Sequence, residues 1–173
     1  VHADARARAQ LDAACAEGPP WEGAIARRIV DALPAGALLH VASSMPIRDL
    51  DGFAPAMEKP LEVTANRGVN GIDGTVSTAV GEALASARPT CVLCGDLAAL
   101  HDVGGLHTAV ALGARLTVVV VDNGGGGIFG FLPIADHPTA FESGFVTPQD
   151  TDATRYAEAA GARGRTIECG ALT

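Results

Sequence analysis

The sequence predicts an α/β fold, a three-layer α/β/α sandwich around a mostly parallel sheet. Three observations carry this. Short apolar runs alternate with helical stretches along the chain, as in helix-covered parallel sheets. The run Leu116–Val121 is apolar on both faces, which suits a central strand with helices on either side. A polar or Gly-rich turn follows directly on each of four strand candidates.

Taken in order, residues 1–20 are rich in Ala and Asp and end in Gly18-Pro19-Pro20, which reads as a linker or N-terminal tail. Residues 21–173 form the domain. Apolar residues at 21, 25, 29, 30 and 33 give Trp21–Leu33 a helical stripe that Pro34 and Gly36 stop. Ala37–Val41 is a strand, followed by the polar loop Ser43-Ser44-Met45-Pro46. Leu61–Thr64 is a shorter strand, followed by the loop Asn66-Arg67-Gly68. A helix with small residues on one face runs from about Gly74 to Ala87. The third strand, Thr90–Cys94, ends at Gly95-Asp96, and Ala98–Gly113 reads as one helix. The strand Leu116–Val121 ends at Asp122-Asn123 and four glycines. Residues 130–150, with prolines and scattered aromatics, read as a loop. Asp152–Ala160 is a helix and Arg165–Cys169 a last strand.

Composition excludes several function classes. The chain has 173 residues, 48% of them hydrophobic, enough for a core and against global disorder. A net charge of −8 without any Lys or Arg run argues against a nucleic-acid backbone binder. No apolar stretch reaches the roughly 18–20 residues that span a bilayer. The N-terminus lacks an initiator Met and the apolar core of a signal peptide, so it reads as a cut or processed end, with a cytoplasmic default. Cys91 and Cys94 form a CxxC, but inside an apolar strand. With no second ligand pair at zinc spacing, they read as buried and structural. The five His residues carry no motif and read as structural, with His101 and His107 on a helix expected to pack on the sheet.

In an open parallel sheet, the turns Ser43-Ser44, Asn66-Arg67, Gly95-Asp96 and Asp122-Asn123 converge at the carboxyl edge, where ligands bind. If the strands before Asp96 and Asn123 are neighbours, a carboxylate, an amide oxygen and the carbonyls of a Gly-rich turn come together. These are hard oxygen ligands suited to Mg²⁺, and glycines at 124–127 let a diphosphate approach the backbone. Gly-Asp and Asp-Asn-Gly are also ordinary turns, so spacing alone leaves both readings open. A dinucleotide site lacks support, because no GxGxxG follows the first strand.

Gly95-Asp96 followed by Asn123 resembles the Gly-Asp-Gly…Asn-Asn motif of thiamine-diphosphate-dependent enzymes. Ser44-Met-Pro-Ile-Arg48-Asp49, Asn66-Arg67-Gly68-Val-Asn-Gly71-Ile72-Asp73-Gly74 and Ile128-Phe129 look like one branch of that superfamily. The branch is the 2-succinyl-5-enolpyruvyl-6-hydroxy-3-cyclohexene-1-carboxylate synthases, the MenD family of menaquinone biosynthesis. The similarity runs from about Trp21 to Cys169. Leu97 replaces the usual second Gly of the motif, as in that branch, and Asp122 replaces the first Asn.

The resemblance implies a thiamine-diphosphate-binding fold with thiamine diphosphate and Mg²⁺ as cofactors. Asp96, Asn123 and the carbonyl of Gly125 would bind the metal. Ile72 would lie under the cofactor, with Gly95, Leu97, Ile128 and Phe129 also lining its site. Ser44, Arg48 and Arg67 are assigned to the anionic substrates, since Arg forks bind carboxylates bidentately. On pattern alone the two arginines read equally as solvated loop residues, and Ile128 and Phe129 as core. The implied reaction decarboxylates 2-oxoglutarate and adds the resulting succinic semialdehyde carbanion to isochorismate. The implied partners are a pyrimidine-binding domain carrying the activating glutamate and a homodimeric or homotetrameric assembly. By the same resemblance this chain holds only the diphosphate domain, stops short of the family's usual end, and is inactive by itself. An acetolactate-synthase-like carboligase and a non-catalytic α/β module are the alternatives.

Overall fold

The computed structural model describes residues 2–18, 20–56 and 58–168. The strands are β1 (Leu38–Val41), β2 (Glu62–Thr64), β3 (Thr90–Gly95) and β4 (Leu116–Val121). They form a wholly parallel sheet in the order β2-β1-β3-β4. The registers Leu38↔Thr90 and Thr90↔Leu116 align the strand starts, and Gly95↔Val121 aligns the carboxyl ends of β3 and β4. The chain runs outward from β1 to β2 and then crosses back over to β3. The order therefore reverses between β1 and β3, which opens a crevice at their carboxyl ends.

Strand alternation sends successive side chains to opposite layers. Leu39, Val41, Cys91 and Leu93 pack with Ala26 and Val30 of α2 (Glu22–Ala32) and Leu50 of α3 (Met45–Phe53). On the other face, Val92 and Cys94 meet Ala79 of α4 (Thr75–Ser86) and Ala98 and Ala99 of α5 (Asp96–His101). Val76 and Val80 of α4 pack with Ala109 of α6 (Gly104–Ala111). That crossing is close because Gly105 has no side chain: a Cβ there would lie 2.9 Å from Val76 Cβ. The three-layer α/β/α architecture is as the sequence predicts.

Several local expectations need correction. The segment read as a linker contains a helix, α1 (His2–Ala16), which its alanines favour. It docks on the domain through Arg27 Nη1 to Asp12 Oδ1 (2.5 Å), Arg8 Nη1 to the Ala54 carbonyl (3.2 Å) and buried Cys15. Met45-Pro46 opens α3 instead of belonging to a loop, proline being well suited to a first helical turn. The span expected as one helix over 98–113 is two, α5 and α6. Asp102 lies between them and accepts from Ser77 N (2.6 Å) and Ser77 Oγ (2.9 Å), which ties the break to the start of α4. His101 and His107 lie on the exposed sides of α5 and α6.

β4 is an edge strand of the described sheet, not a central one. Helical layers cover an edge strand on both faces as readily as a central one, so two-sided apolarity does not locate a strand in the order. Residues 130–150 are wound into short turns: 3₁₀ turns over Gly127–Phe131 and Pro133–Asp136, the single turn α7 (Pro138–Phe141) and a π turn over Glu142–Val146. The helix expected at 152–160 is α8 (Ala153–Ala159), capped by Asp152, whose carboxylate accepts from Thr154 N at 2.9 Å. Residues 165–168 belong to no described strand, and Cys169 lies outside the described residues.

Candidate functional site

All four strands deliver their following turns to one cleft of about 470 Å³. It is lined by Ser44 and Arg48 after β1, Arg67 and Ile72 after β2, Gly95, Asp96 and Leu97 at the end of β3, and Asn123, Gly125, Ile128 and Phe129 after β4. Every residue singled out from the sequence therefore faces the same space.

Its centre is Asp96. The register that places Gly95 opposite Val121 sets Asp96 beside the turn after β4. The Asp96 carboxyl accepts from its neighbour Leu97 N at 2.7 Å and from the backbone N–H of Gly125, and it faces the carboxyl of Asp122. Burial, with the charge of Asp122 behind it, holds Asp96 above the usual carboxylate range, although the two N–H donors pull the other way. Asp122 Oδ1 also accepts from Gly124 N (3.1 Å), closing the turn.

The turn can take this path only because it is made of glycine. Gly125 has φ +129°, and a Cβ there would sit 2.2 Å from the carbonyl oxygen of Val146, to which Gly126 N donates at 2.8 Å. The Gly125 carbonyl accepts from Gly127 N (2.9 Å) and keeps a second lone pair. Asn123 Nδ2 donates to Glu22 Oε1 at 2.6 Å, so its Oδ1 is the oxygen left for a ligand.

Two facing carboxyls beside an amide oxygen and a carbonyl fit a hard divalent cation, which would relieve the repulsion between Asp96 and Asp122. Among the described residues no three His, Cys, Asp or Glu side chains cluster to hold a metal alone, so neutral oxygens must complete such a set. Cysteine chemistry has no place here. Burial pushes the Cys91 thiol up to about 11 and that of Cys94 to about 12, so neither supplies a thiolate.

The two arginines sit at the rim, both exposed. Arg48 Nη1 donates to the Ser44 carbonyl (2.5 Å) and Arg67 Nη1 to Ser43 Oγ (3.3 Å), so both are tethered to the turn after β1. Ser44 has φ 76° and ψ −136°, a backbone conformation costly for any residue with a Cβ. Ile72 packs against the core cluster of β3 and α4 while lining the cleft, and Phe129 makes an edge-on contact with Phe145. Sequence reasoning placed Ser43 and Asp122 at this edge without giving them a role, and it missed Glu22. Asp122 was visible as a departure from the Asn pair, whereas Glu22, 101 positions from its partner, left no local signal.

Comparison with known proteins bears on the family and the fold. Residues 52–171 match the family described as thiamine pyrophosphate enzyme, C-terminal TPP binding domain. The chain is 56% identical over 165 residues to the 2-succinyl-5-enolpyruvyl-6-hydroxy-3-cyclohexene-1-carboxylate synthase of Myxococcus xanthus, covering 93% of this chain and 28% of that protein. It is 47% identical over 160 residues to the synthase of the same name from Geobacillus kaustophilus, covering 92% and 28%. The chain thus spans under a third of the length of these curated relatives. Among solved structures, a thiamine diphosphate-dependent 4-hydroxybenzoylformate decarboxylase of Rhodococcus jostii superposes with a TM-score of 0.71 at 20% identity, over 87% of this chain and 28% of the other. A benzoylformate decarboxylase of Polynucleobacter necessarius gives 0.65 at 21%, over 88% and 29%. At those identities the likeness speaks for the fold.

Proposed function

The chain belongs to the family of C-terminal thiamine-pyrophosphate-binding domains of thiamine pyrophosphate enzymes, and from that premise we propose that it is the diphosphate- and Mg²⁺-holding part of a 2-succinyl-5-enolpyruvyl-6-hydroxy-3-cyclohexene-1-carboxylate synthase. The observation that carries this is the meeting of two turns: Asp96 after β3 accepts from Gly125 N–H after β4 and faces Asp122. Residues 21–173 are the cofactor-binding unit, with α1 packed on it.

Asp96, Asn123 Oδ1 and the Gly125 carbonyl would hold Mg²⁺, and the glycine turn would admit the diphosphate. Ile72, Gly95, Leu97, Ile128 and Phe129 would enclose the rest of the cofactor and exclude water from it. Bound there, thiamine diphosphate supplies the electron sink for decarboxylating a 2-oxo acid and forming a carbon–carbon bond. Ser44, Arg48 and Arg67 would receive the substrates. We read these as 2-oxoglutarate and isochorismate, two dicarboxylates, on the strength of the relatives' name and of two guanidinium groups on one rim. Among the described residues the cleft lining contains no glutamate. In keeping with that lining, the family resemblance assigns the glutamate that activates the cofactor to a pyrimidine-binding domain of the whole enzyme or of a partner subunit. A homodimer or homotetramer and a cytoplasmic setting complete the reading. Among the described residues no helix is long and apolar enough to cross a membrane.

Calorimetric titration of thiamine diphosphate with and without Mg²⁺ tests the site. Binding should require Mg²⁺ and be lost in Asp96→Ala; binding that survives this substitution refutes the metal assignment. With 2-oxoglutarate, isochorismate and both cofactors, the chain by itself should give no turnover. Product formation would overturn the assignment of proton transfer to another domain.

A further inference from the structure

Resting on the reading of Asn123 as a metal ligand, we propose that Glu22 is its positioning residue: by accepting from Nδ2, the Glu22 carboxylate fixes the amide so that Oδ1 is the face offered to the cation.

An asparagine amide has two nearly isosteric faces, one an acceptor and one a donor of two hydrogen bonds. Only the oxygen face can ligate a cation, so a freely rotating amide presents the wrong group in part of its population. Nothing in the turn after β4 resolves this locally. The glycines around Asn123 offer no side chains, and Gly127 supplies only an empty Cα face, where a Cβ would meet Asn123 Nδ2 at 3.0 Å.

Glu22 resolves it from 101 positions away. A carboxylate has acceptors only, so the Asn123 atom 2.6 Å from Glu22 Oε1 is the nitrogen, and Oδ1 is turned elsewhere. Glu22 is the first residue of α2, a helix of 11 residues packed on the sheet through Ala26 and Val30, so the acceptor is carried by a rigid element. The carboxylate is half-buried and lines a small recess with Asp49, Pro46, Leu93, Gly95 and Asn123. Its charge acts inward: burial first, and then Glu22, pushes buried Asp49 up to about 6. Keeping a carboxylate beside a second acid costs free energy, and orienting a metal ligand through its other end is a known use of such partners.

The proposal separates Glu22 from a mere helix-end charge through two measurements on the full chain. The first titrates Mg²⁺ at saturating thiamine diphosphate. Glu22→Leu, which removes the acceptor, should raise the half-saturating Mg²⁺ by about 10–100-fold, the range for loss of an outer-sphere partner. Glu22→Gln, which keeps an acceptor oxygen but no longer forbids the reversed amide, should fall between about threefold and tenfold. The second needs no metal. In ¹⁵N-labelled chain the Asn123 side-chain NH₂ signal, identified by its loss in Asn123→Ala, should move toward that of a solvated amide in both variants.

Either folded variant titrating within about twofold of the unaltered chain overturns the proposal, because an outer-sphere partner costs more than that. So does an unchanged Asn123 NH₂ signal. If Glu22→Leu loses its far-ultraviolet dichroism, the near-isosteric Glu22→Gln decides. If the unaltered chain binds thiamine diphosphate without any dependence on Mg²⁺, the reading of the site itself falls and this inference with it. Mg²⁺-dependent binding that is indifferent to Glu22 sinks the inference alone.

Discussion

His40 Nδ1 lies 3.1 Å from Glu82 Oε2 and 3.0 Å from Thr64 Oγ1, which joins β1, β2 and α4 through one buried imidazole. The ring is 1% exposed, and among the described residues its Nε2 has no hydrogen-bond partner. Burial lowers the His40 pKa and outweighs Glu82, which favours the charged form. Since the folded pKa lies below the unfolded value of 6.5, the unfolded chain binds the extra proton. Stability should therefore hold above pH 6.5 and fall as pH drops through 6.5 toward the folded value, by at most about 1.4 kcal/mol per pH unit. Thermal unfolding followed from pH 7.5 to 5 checks this, with His40→Gln expected to lose that part of the slope. An equal slope in the variant would assign the effect to another group.

Asp49 works in the opposite sense. Burial and the Glu22 charge push its pKa up to about 6 from 3.8. A raised carboxyl pKa contributes stability that is complete below 3.8 and lost as pH rises through 6, so the ionised form is a burden at neutral pH. Asp49→Asn should accordingly stabilise the chain at pH 8 relative to pH 4, by up to about 3 kcal/mol for a carboxyl held at about 6. Denaturant melts of both proteins at the two pH values give the comparison. A variant without any differential gain at pH 8 would show Asp49 to be solvated.

Gly125 and Gly124 both have positive φ, +129° and +81°, but only Gly125 is crowded, by Val146 O. Gly124→Ala should cost about 1–2 kcal/mol, the strain of a left-handed alanine. Gly125→Ala should cost clearly more, about 3 kcal/mol or above, because the backbone must also move away from the Val146 carbonyl. It should also disturb the N–H that Asp96 accepts. Equilibrium unfolding of the pair measures the difference, and equal costs would mean that the Gly125–Val146 approach is not maintained.

Ser44 carries strain of a kind its side chain does not relieve, since as the residue before α3 it makes no capping hydrogen bond. Ser44→Gly should stabilise the fold by about 1 kcal/mol or more, because glycine adopts φ 76° freely. If Ser44 serves the substrates, the same change should reduce turnover in the whole enzyme, so that stability and activity move in opposite directions. A gain in both would make the strain purely structural.

Much of this site was legible as residue types following apolar runs. Gly95-Asp96 and Asp122-Asn123 announce themselves because a parallel strand must end in a turn, and an acid or amide there has few structural duties. Arg48 and Arg67 are legible for the same reason. The order of the strands was not: β4 is as apolar as a central strand because residues of both its faces pack, partly buried, against the core, and only pairing shows it at an edge. Nor was α1, whose alanines carry no strong stripe and whose docking depends on Arg27, Arg8 and Cys15 finding partners on other elements.

The sequence by itself determined the layers, the family and the residue types gathered at the carboxyl edge, because alternation, turn chemistry and motif spacing are properties of neighbouring positions. Tertiary structure alone decided which groups touch: the Gly125 N–H on Asp96, the facing Asp122, and Glu22 on Asn123. Hydrogen bonds and desolvation act over a few ångströms in space, and chain distance places no limit on which residues folding brings that close.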